Sequence, residues 1–272
     1  ELERSFETEV AGVRMRAPMM RIHTVAAGGG SILKFDGARY RVGPDSAGAN
    51  PGPASYGNDG PLCVTDCNVM LGKLQSGYFP HVFGVDGNQP LTVSVVENKF
   101  NALAEQINRD TGNTRTVYEI AAGFLSIAVE NMANAIKKIS VQRGYDVAEY
   151  TLCSFGGAGG QHACLVADAL AIKRIFIHPY SGVLSAYGMG LANVSHIIET
   201  SVEKKLLPGL MFQLNSMADQ LYVAASKELV SQGVELVEID SIRKIHCYYQ
   251  GSDTTFAVIF ADYKSVLLAF EQ

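Results

Sequence analysis

The chain lacks the spacings that announce a metal site or a disulfide framework. Its five cysteines (Cys63, Cys67, Cys153, Cys164 and Cys247) are odd in number and form no Cys-x-x-Cys pair, which suits reduced thiols in a cytoplasm rather than a set of bridges. The six histidines are scattered singly without a His-x-x-x-His pattern, so no zinc site follows. Long basic runs are missing too, and 22 Lys and Arg against 27 Asp and Glu leave a net charge of −5. Nucleic acid and anionic membrane are therefore not expected partners. No apolar run approaches the roughly 20 residues of a membrane span, and none of the sequence reads as a signal peptide. The expected location is the cytoplasm.

What is present is a globular composition. With 47% hydrophobic and 18% charged residues, the 272-residue chain can bury one large core or two modest ones. Its most informative stretch is Ser154-Phe-Gly-Gly-Ala-Gly-Gly-Gln-His-Ala163, with glycine at Gly156, Gly157, Gly159 and Gly160. It lies between a strand-like run over 150–153 and a helical pattern over 164–170. Glycine admits positive φ and lets a ligand approach the main chain without meeting a Cβ, while the first N–H groups of the next helix present partial positive charge. A nucleotide suits such a turn; a purely structural tight turn is the alternative. The run is neither a dinucleotide fingerprint, since the last glycine is missing, nor a P-loop, since no Gly-Lys-Ser/Thr follows.

Patterning elsewhere predicts strands over 20–26, 31–35 and 39–42, broken by Gly28-Gly-Gly30 and by the hairpin signal Asp36-Gly37. The stretch 43–53 is too rich in Pro and Gly for helix or central strand and reads as an ordered loop or a linker. Helices are expected over 65–74, capped by Thr65-Asp66, over 97–108, and over 116–143. The last has a Thr116-x-x-Glu119 capping box and a Gly144 stop, and its length makes it the spine of a lobe. Strands follow over 174–177 and 196–206. After Pro208-Gly209 come an amphipathic helix over 210–233, two antiparallel strands over 238–249 and 255–260, and an apolar-periodic helical pattern from Tyr263. The chain starts at Glu1 without an initiator Met and stops inside that last pattern; the expectation is a fragment of a longer protein.

Several residues are candidates for chemistry. Gly28, Gly29, Gly30 and Ser31 could set backbone N–H groups and a hydroxyl against phosphate or substrate, or could simply break a strand. His162, at the start of the helix after the glycine turn, could meet ribose or phosphate, or bond its own backbone. Asp45 and Ser46 fit a loop that faces substrate or a partner subunit and, better, a turn cap. Asp66 reads as a helix N-cap rather than a metal ligand, with Asn68 beside it, and His23 as structural. Cys164 falls on an apolar helix face, where a buried thiol is inert. No catalytic residue and no metal ligand is assigned.

The runs Ile22-His-Thr-Val-Ala-Ala-Gly-Gly-Gly-Ser-Ile32, Val42-Gly-Pro-Asp-Ser-Ala-Gly-Ala-Asn-Pro-Gly-Pro53 and Val64-Thr-Asp-Cys-Asn68, the segment Glu130-Asn-Met-Ala133 and the glycine turn occur in this order. Together they resemble the hydantoinase A/oxoprolinase family. Val82-Phe-Gly-Val-Asp-Gly-Asn-Gln-Pro-Leu91 and Ser140-Val-Gln-Arg-Gly-Tyr-Asp146 look most like its 5-oxoprolinase branch. The likeness runs to about Asn193, where the family usually has Asp. It implies an α/β chain with an actin-like ATPase (RNase-H-like) lobe over 1–207 and the start of a smaller C-terminal α+β subdomain over 208–272. It also implies ATP with Mg2+, a cyclic amide substrate, and a hydantoinase B-type subunit or domain as partner.

In this family the adenosine turn matches 155–162, whereas the two Asp-x-Gly-Gly-Thr-type phosphate loops and the Mg2+-binding carboxylate are absent from these residues. The fragment alone is therefore expected to be inactive. The implied activity of the parent is ATP-dependent opening of a lactam, 5-oxoproline to glutamate. An amide carbonyl is a poor electrophile, and a phosphoryl group placed on its oxygen makes that oxygen part of a good leaving group. The alternatives are an N-methylhydantoinase-like hydrolase and, in another class, a non-catalytic nucleotide-binding or assembly module.

Overall fold

The computed structural model describes residues 4–10, 13–20, 25, 27–141, 144–252 and 254–271. The chain packs as two units, Glu1–Gly188 and Met189–Gln272. The first opens with a hairpin of β1 (Arg4–Val10) and β2 (Val13–Met20), paired antiparallel with Thr8 opposite Met15. Patterning did not reveal this hairpin. Of the strand expected over 20–26, only Met20 closes β2; residues 21–24 and 26, His23 among them, lie outside the described residues.

A second antiparallel hairpin joins β3 (Ser31–Phe35) to β4 (Tyr40–Ser46) across the Asp36-Gly37 turn. Asp36 caps that turn by accepting from the N–H groups of Ala38 and Arg39. β4 runs on through Gly43 and Pro44, which the sequence reading assigns to a loop. Among the described residues β4 pairs only with β3, so its outer edge tolerates a residue without an N–H. The rest of 43–53 is ordered: Gly52 N donates to Ala47 O at 3.2 Å, Ala54 N donates to Pro61 O at 3.0 Å, and Pro53 is fully buried. The chain doubles back so tightly that a Cβ on Gly60 would stand 1.9 Å from the Gly52 carbonyl oxygen.

Two helices pack on the β3–β4 hairpin and a third packs on them. They are α1 (Val64–Met70), α2 (Val93–Thr111) and α3 (Val117–Ser140), of which α2 packs on the other two. α1 starts after Cys63 and ends before the expected Leu74, and α2 starts earlier than its periodicity suggests. α3 carries the foreseen capping box: Glu119 N donates to Thr116 Oγ1 at 3.2 Å and Thr116 N to Glu119 Oε2 at 2.7 Å. Its first half buries Ile120, Ala121, Phe124 and Leu125 with Val96, Phe100, Ile107 and Val64 in one core, where Tyr40 stacks on Phe124 with ring centroids 4.6 Å apart. Its second half buries Val129 and Ala133 with Val166, Ala167 and Leu170 in another. One long helix thus threads both cores, as a spine must.

The second core is a parallel β-α-β unit. It consists of β5 (Thr151–Ser154), α4 (Ala163–Ala169) and β6 (Arg174–Ile177), with Cys153 opposite Phe176. A further helix, α5 (Leu184–Leu191), spans the boundary between the units. Residues 196–206 form no strand; they are almost wholly exposed and have no strand to pair with among the described residues.

The second unit holds α6 (Met211–Ser231), β7 (Lys244–Cys247) antiparallel to β8 (Phe256–Ile259), and α7 (Tyr263–Glu271). β7 is shorter than expected because a 3-10 turn over Leu236–Glu238 precedes it. Arg243 bonds Asp219 of α6 at 2.8 Å and lies over the Tyr222 ring, while Tyr249 packs on Phe270 of α7. No helix among the described residues is long and apolar enough to cross a membrane.

Candidate functional site

The glycine turn joins the end of β5 to the start of α4, so it emerges at the carboxyl edge of a parallel strand pair, where open α/β sheets place ligands. Gly156 has φ +89°, which favours glycine, and its N–H donates to Ser181 O at 2.8 Å. A 3-10 turn over Gly159–Gln161 then leads into α4. A Cβ on Gly157 or Gly160 would meet nothing within 4 Å, so space lies open against the main chain at both. Gly159 differs: a Cβ there would stand 2.8 Å from Ser154 Oγ, so close packing within the turn already accounts for it.

His162 and Gln161 close the turn. His162 is 5% exposed, and neither ring nitrogen has a hydrogen-bond partner among the described residues. Burial, and after it the charge of Lys73, lowers its pKa from the ordinary value, so the ring is held neutral. Gln161 accepts a hydrogen bond from Asn68 Nδ2 at 2.8 Å. Asn68 is fully buried on α1, and its Oδ1 has no partner among the described residues.

The turn at Gly28–Ser31 meets the same helix. Ser31 Oγ accepts from Gly28 N at 3.1 Å, Gly29 O accepts from Thr65 N at 2.9 Å, and Gly30 O accepts from Ala47 N at 2.9 Å. A Cβ on Gly29 would press on Thr65 Oγ1 at 2.6 Å, and one on Gly30 would approach Ser46 Oγ at 3.0 Å. These contacts give Gly29 and Gly30 a packing role whatever else the turn does. Both glycine-rich turns therefore abut α1, one at Thr65 and the other at Asn68, a helical turn further on.

Asp66 fixes α1 in place. Wholly buried, it accepts from Ala54 N at 3.0 Å, Ser55 N at 2.8 Å and Cys63 N at 2.8 Å. It is not the N-cap itself; Cys63 holds that position, and Asp66 sits in the first turn as the returning arm of a capping box. Burial raises its pKa against the hydrogen bonds that lower it, and burial followed by the Asp66 charge pushes the Cys63 thiol up to about 12. Asp45 and Ser46 close β4 and do not sit in a loop: Asp45 pairs with Lys34 of β3 on the surface, and Ser46 Oγ accepts from Gly48 N in the turn that follows. Cys164, expected to be buried, is exposed, because α4 turns Ala163, Val166 and Ala167 inward instead. All five cysteines are free. Among the described residues no three His, Cys, Asp or Glu side chains gather to hold a metal ion.

Sequence reasoning missed Gln161 and the bond that ties it to Asn68. The partners are 93 positions apart, and no local signal links them.

Residues 1–198 match the family model described as Hydantoinase/oxoprolinase. The 5-oxoprolinase of Saccharomyces cerevisiae is 40% identical over 95% of this chain, which spans 20% of that protein. The caprolactamase subunit alpha of Pseudomonas jessenii is 30% identical over 90% of this chain and 34% of its own length. The crystal structure of the ATP-dependent caprolactamase from that organism superposes with a TM-score of 0.70 at 26% identity, covering 98% of this chain and 39% of that one. The nucleotide-free structure of an acetone carboxylase, 20% identical, reaches 0.74 over 99% of this chain and 39% of its own.

Proposed function

The chain belongs to the hydantoinase/oxoprolinase family, with that family's actin-like fold, and from that premise we propose that it is the adenosine-binding portion of an ATP-dependent cyclic amidase that opens 5-oxoproline to glutamate. The observation that carries the reading is the open main chain at Gly157 and Gly160, at the carboxyl edge of β5 and β6. The adenosine of ATP rests there, with Gly156 supplying the turn and His162, whose two ring nitrogens are buried and have no partner among the described residues, turning one of them out to the ribose as the nucleotide enters. ATP supplies the phosphoryl group that activates the lactam carbonyl. The turn Gly28–Ser31 stands toward the phosphates.

The described residues offer no grouped ligands for Mg2+. The domain reading belongs to the same proposal: 1–207 to the ATPase-type lobe and 208–272 to the start of a smaller α+β unit. The partner is a hydantoinase B-type subunit or domain; the name of the Pseudomonas relative as a subunit alpha supports a second component. A cytoplasmic setting, with five free thiols, completes the reading. The test is an assay of the full-length parent with its partner on 5-oxoproline and on hydantoins, with and without ATP. Turnover of 5-oxoproline that requires ATP is expected. ATP-dependent turnover of hydantoins alone would move the assignment to the hydantoinase branch, and no ATP dependence on any ring would overturn it.

A further inference from the structure

We propose that Asn68 is a positioning residue for the nucleotide: through its hydrogen bond to Gln161 it latches the glycine turn to α1, the helix that also carries the Gly28–Ser31 turn. The inference rests on the nucleotide reading of the glycine turn.

A loop built of Gly156, Gly157, Gly159 and Gly160 has few side chains of its own with which to hold a shape, and ordering glycine is entropically costly. The bond that Gln161 Oε1 accepts from Asn68 Nδ2 at 2.8 Å is the turn's one side-chain hydrogen bond to another element among the described residues. His162 beside it is buried yet makes none. The other end of the latch is fixed. Asn68 is fully buried, and α1 is clamped at its start by the three N–H groups that Asp66 gathers from Ala54, Ser55 and Cys63.

The same helix holds the second turn, since Thr65 N donates to Gly29 O at 2.9 Å and Thr65 Oγ1 leaves no room for a side chain at Gly29. Thr65 and Asn68 are one helical turn apart. α1 therefore sets the spacing between the two glycine-rich turns. Breaking the latch frees the adenosine side while the Gly28–Ser31 side stays in register.

The test uses the full-length parent protein and ATP, with calorimetry for affinity, steady-state kinetics and thermal unfolding. Gln161 is only half-buried, so Gln161→Leu is the decisive variant; Asn68→Ala also opens a cavity. Gln161→Leu is expected to weaken ATP by up to about tenfold, the size of one net hydrogen bond. The KM for ATP should rise while kcat and the KM for the lactam stay near wild type; the Tm falls as well, because Asn68 Nδ2 is left buried without its acceptor, so the split between the two KM values is the deciding readout. Adding Asn68→Ala to Gln161→Leu should cost no further ATP affinity, because both remove one interaction. Wild-type ATP binding by folded Gln161→Leu, or additive losses in the double variant, overturns the latch. Gly157→Val separates the two ideas. If it abolishes ATP binding while Gln161→Leu binds ATP as tightly as wild type, the latch alone fails; if it leaves ATP binding intact, the nucleotide reading fails and takes the latch with it.

Discussion

Asp66 does more for this protein than any other single carboxylate described. Its two oxygens collect three buried N–H groups, from Ala54, Ser55 and Cys63. Asp66→Ala strands Ser55 N and Cys63 N and leaves Ala54 N only its bond to Pro61 O, and at about 1–3 kcal/mol for each unsatisfied buried group the loss should be about 2 kcal/mol or more. Asp66→Asn keeps one accepting oxygen and should lose less; urea unfolding of the two variants measures the order. His162 predicts a pH effect. Its folded pKa lies below the ordinary 6.5, with burial as the first cause, so its contribution to stability is present above that value and fades as the pH falls through the depressed folded pKa. Wild type should therefore lose more thermal stability than His162→Gln on acidification below about 6.5. Equal losses in the two proteins would mean that the buried ring does not titrate with unfolding.

Elements whose signals are local were legible before any coordinates. The Thr116-x-x-Glu119 box starts α3 where the sequence says it must, and Thr116→Ala should cost about 1 kcal/mol in chemical denaturation. β3 and β6 match their sequence bounds, since turn residues bracket short apolar runs. What failed depended on neighbours. α1 is shorter than its apolar pattern and begins at Val64 because Asp66 is drawn back to Cys63, Ala54 and Ser55. β4 runs through Gly43 and Pro44 because its outer edge needs no donor, and 196–206 forms no strand for want of a partner.

The candidate site divides the same way. Its glycines were visible in the sequence, whereas their unequal roles were not: only the packing of Ser154 against Gly159 separates that position from Gly157 and Gly160. Gly159→Val would therefore disturb the fold of the turn as well as any ligand. A Cβ at Gly157 or Gly160 meets no protein atom within 4 Å, so Gly157→Val and Gly160→Val should abolish ATP binding with less change in Tm than Gly159→Val.

At the scale of the whole molecule the chain accounts for a fifth of the yeast relative, so the chemistry has to be asked of the parent protein. If ATP activates the lactam, the γ-phosphorus bonds to the ring carbonyl oxygen as its bond to the bridging oxygen of ADP breaks. Water then adds to the ring carbon, and the C–N bond breaks with a proton delivered to nitrogen, leaving an acyl phosphate. Hydrolysis at the carbonyl carbon of that species sends the original ring oxygen out with phosphate. With the ring carbonyl labelled by heavy oxygen, label should appear in inorganic phosphate, and added hydroxylamine should capture the acyl phosphate as a hydroxamate. Label held entirely in the new carboxylate, together with no hydroxamate, would mean that ATP hydrolysis drives only a change of shape. In that case the turn between β5 and α4 would still bind nucleotide, but as part of a conformational motor, and the residues that open the ring would have to be sought without any phosphorylated intermediate.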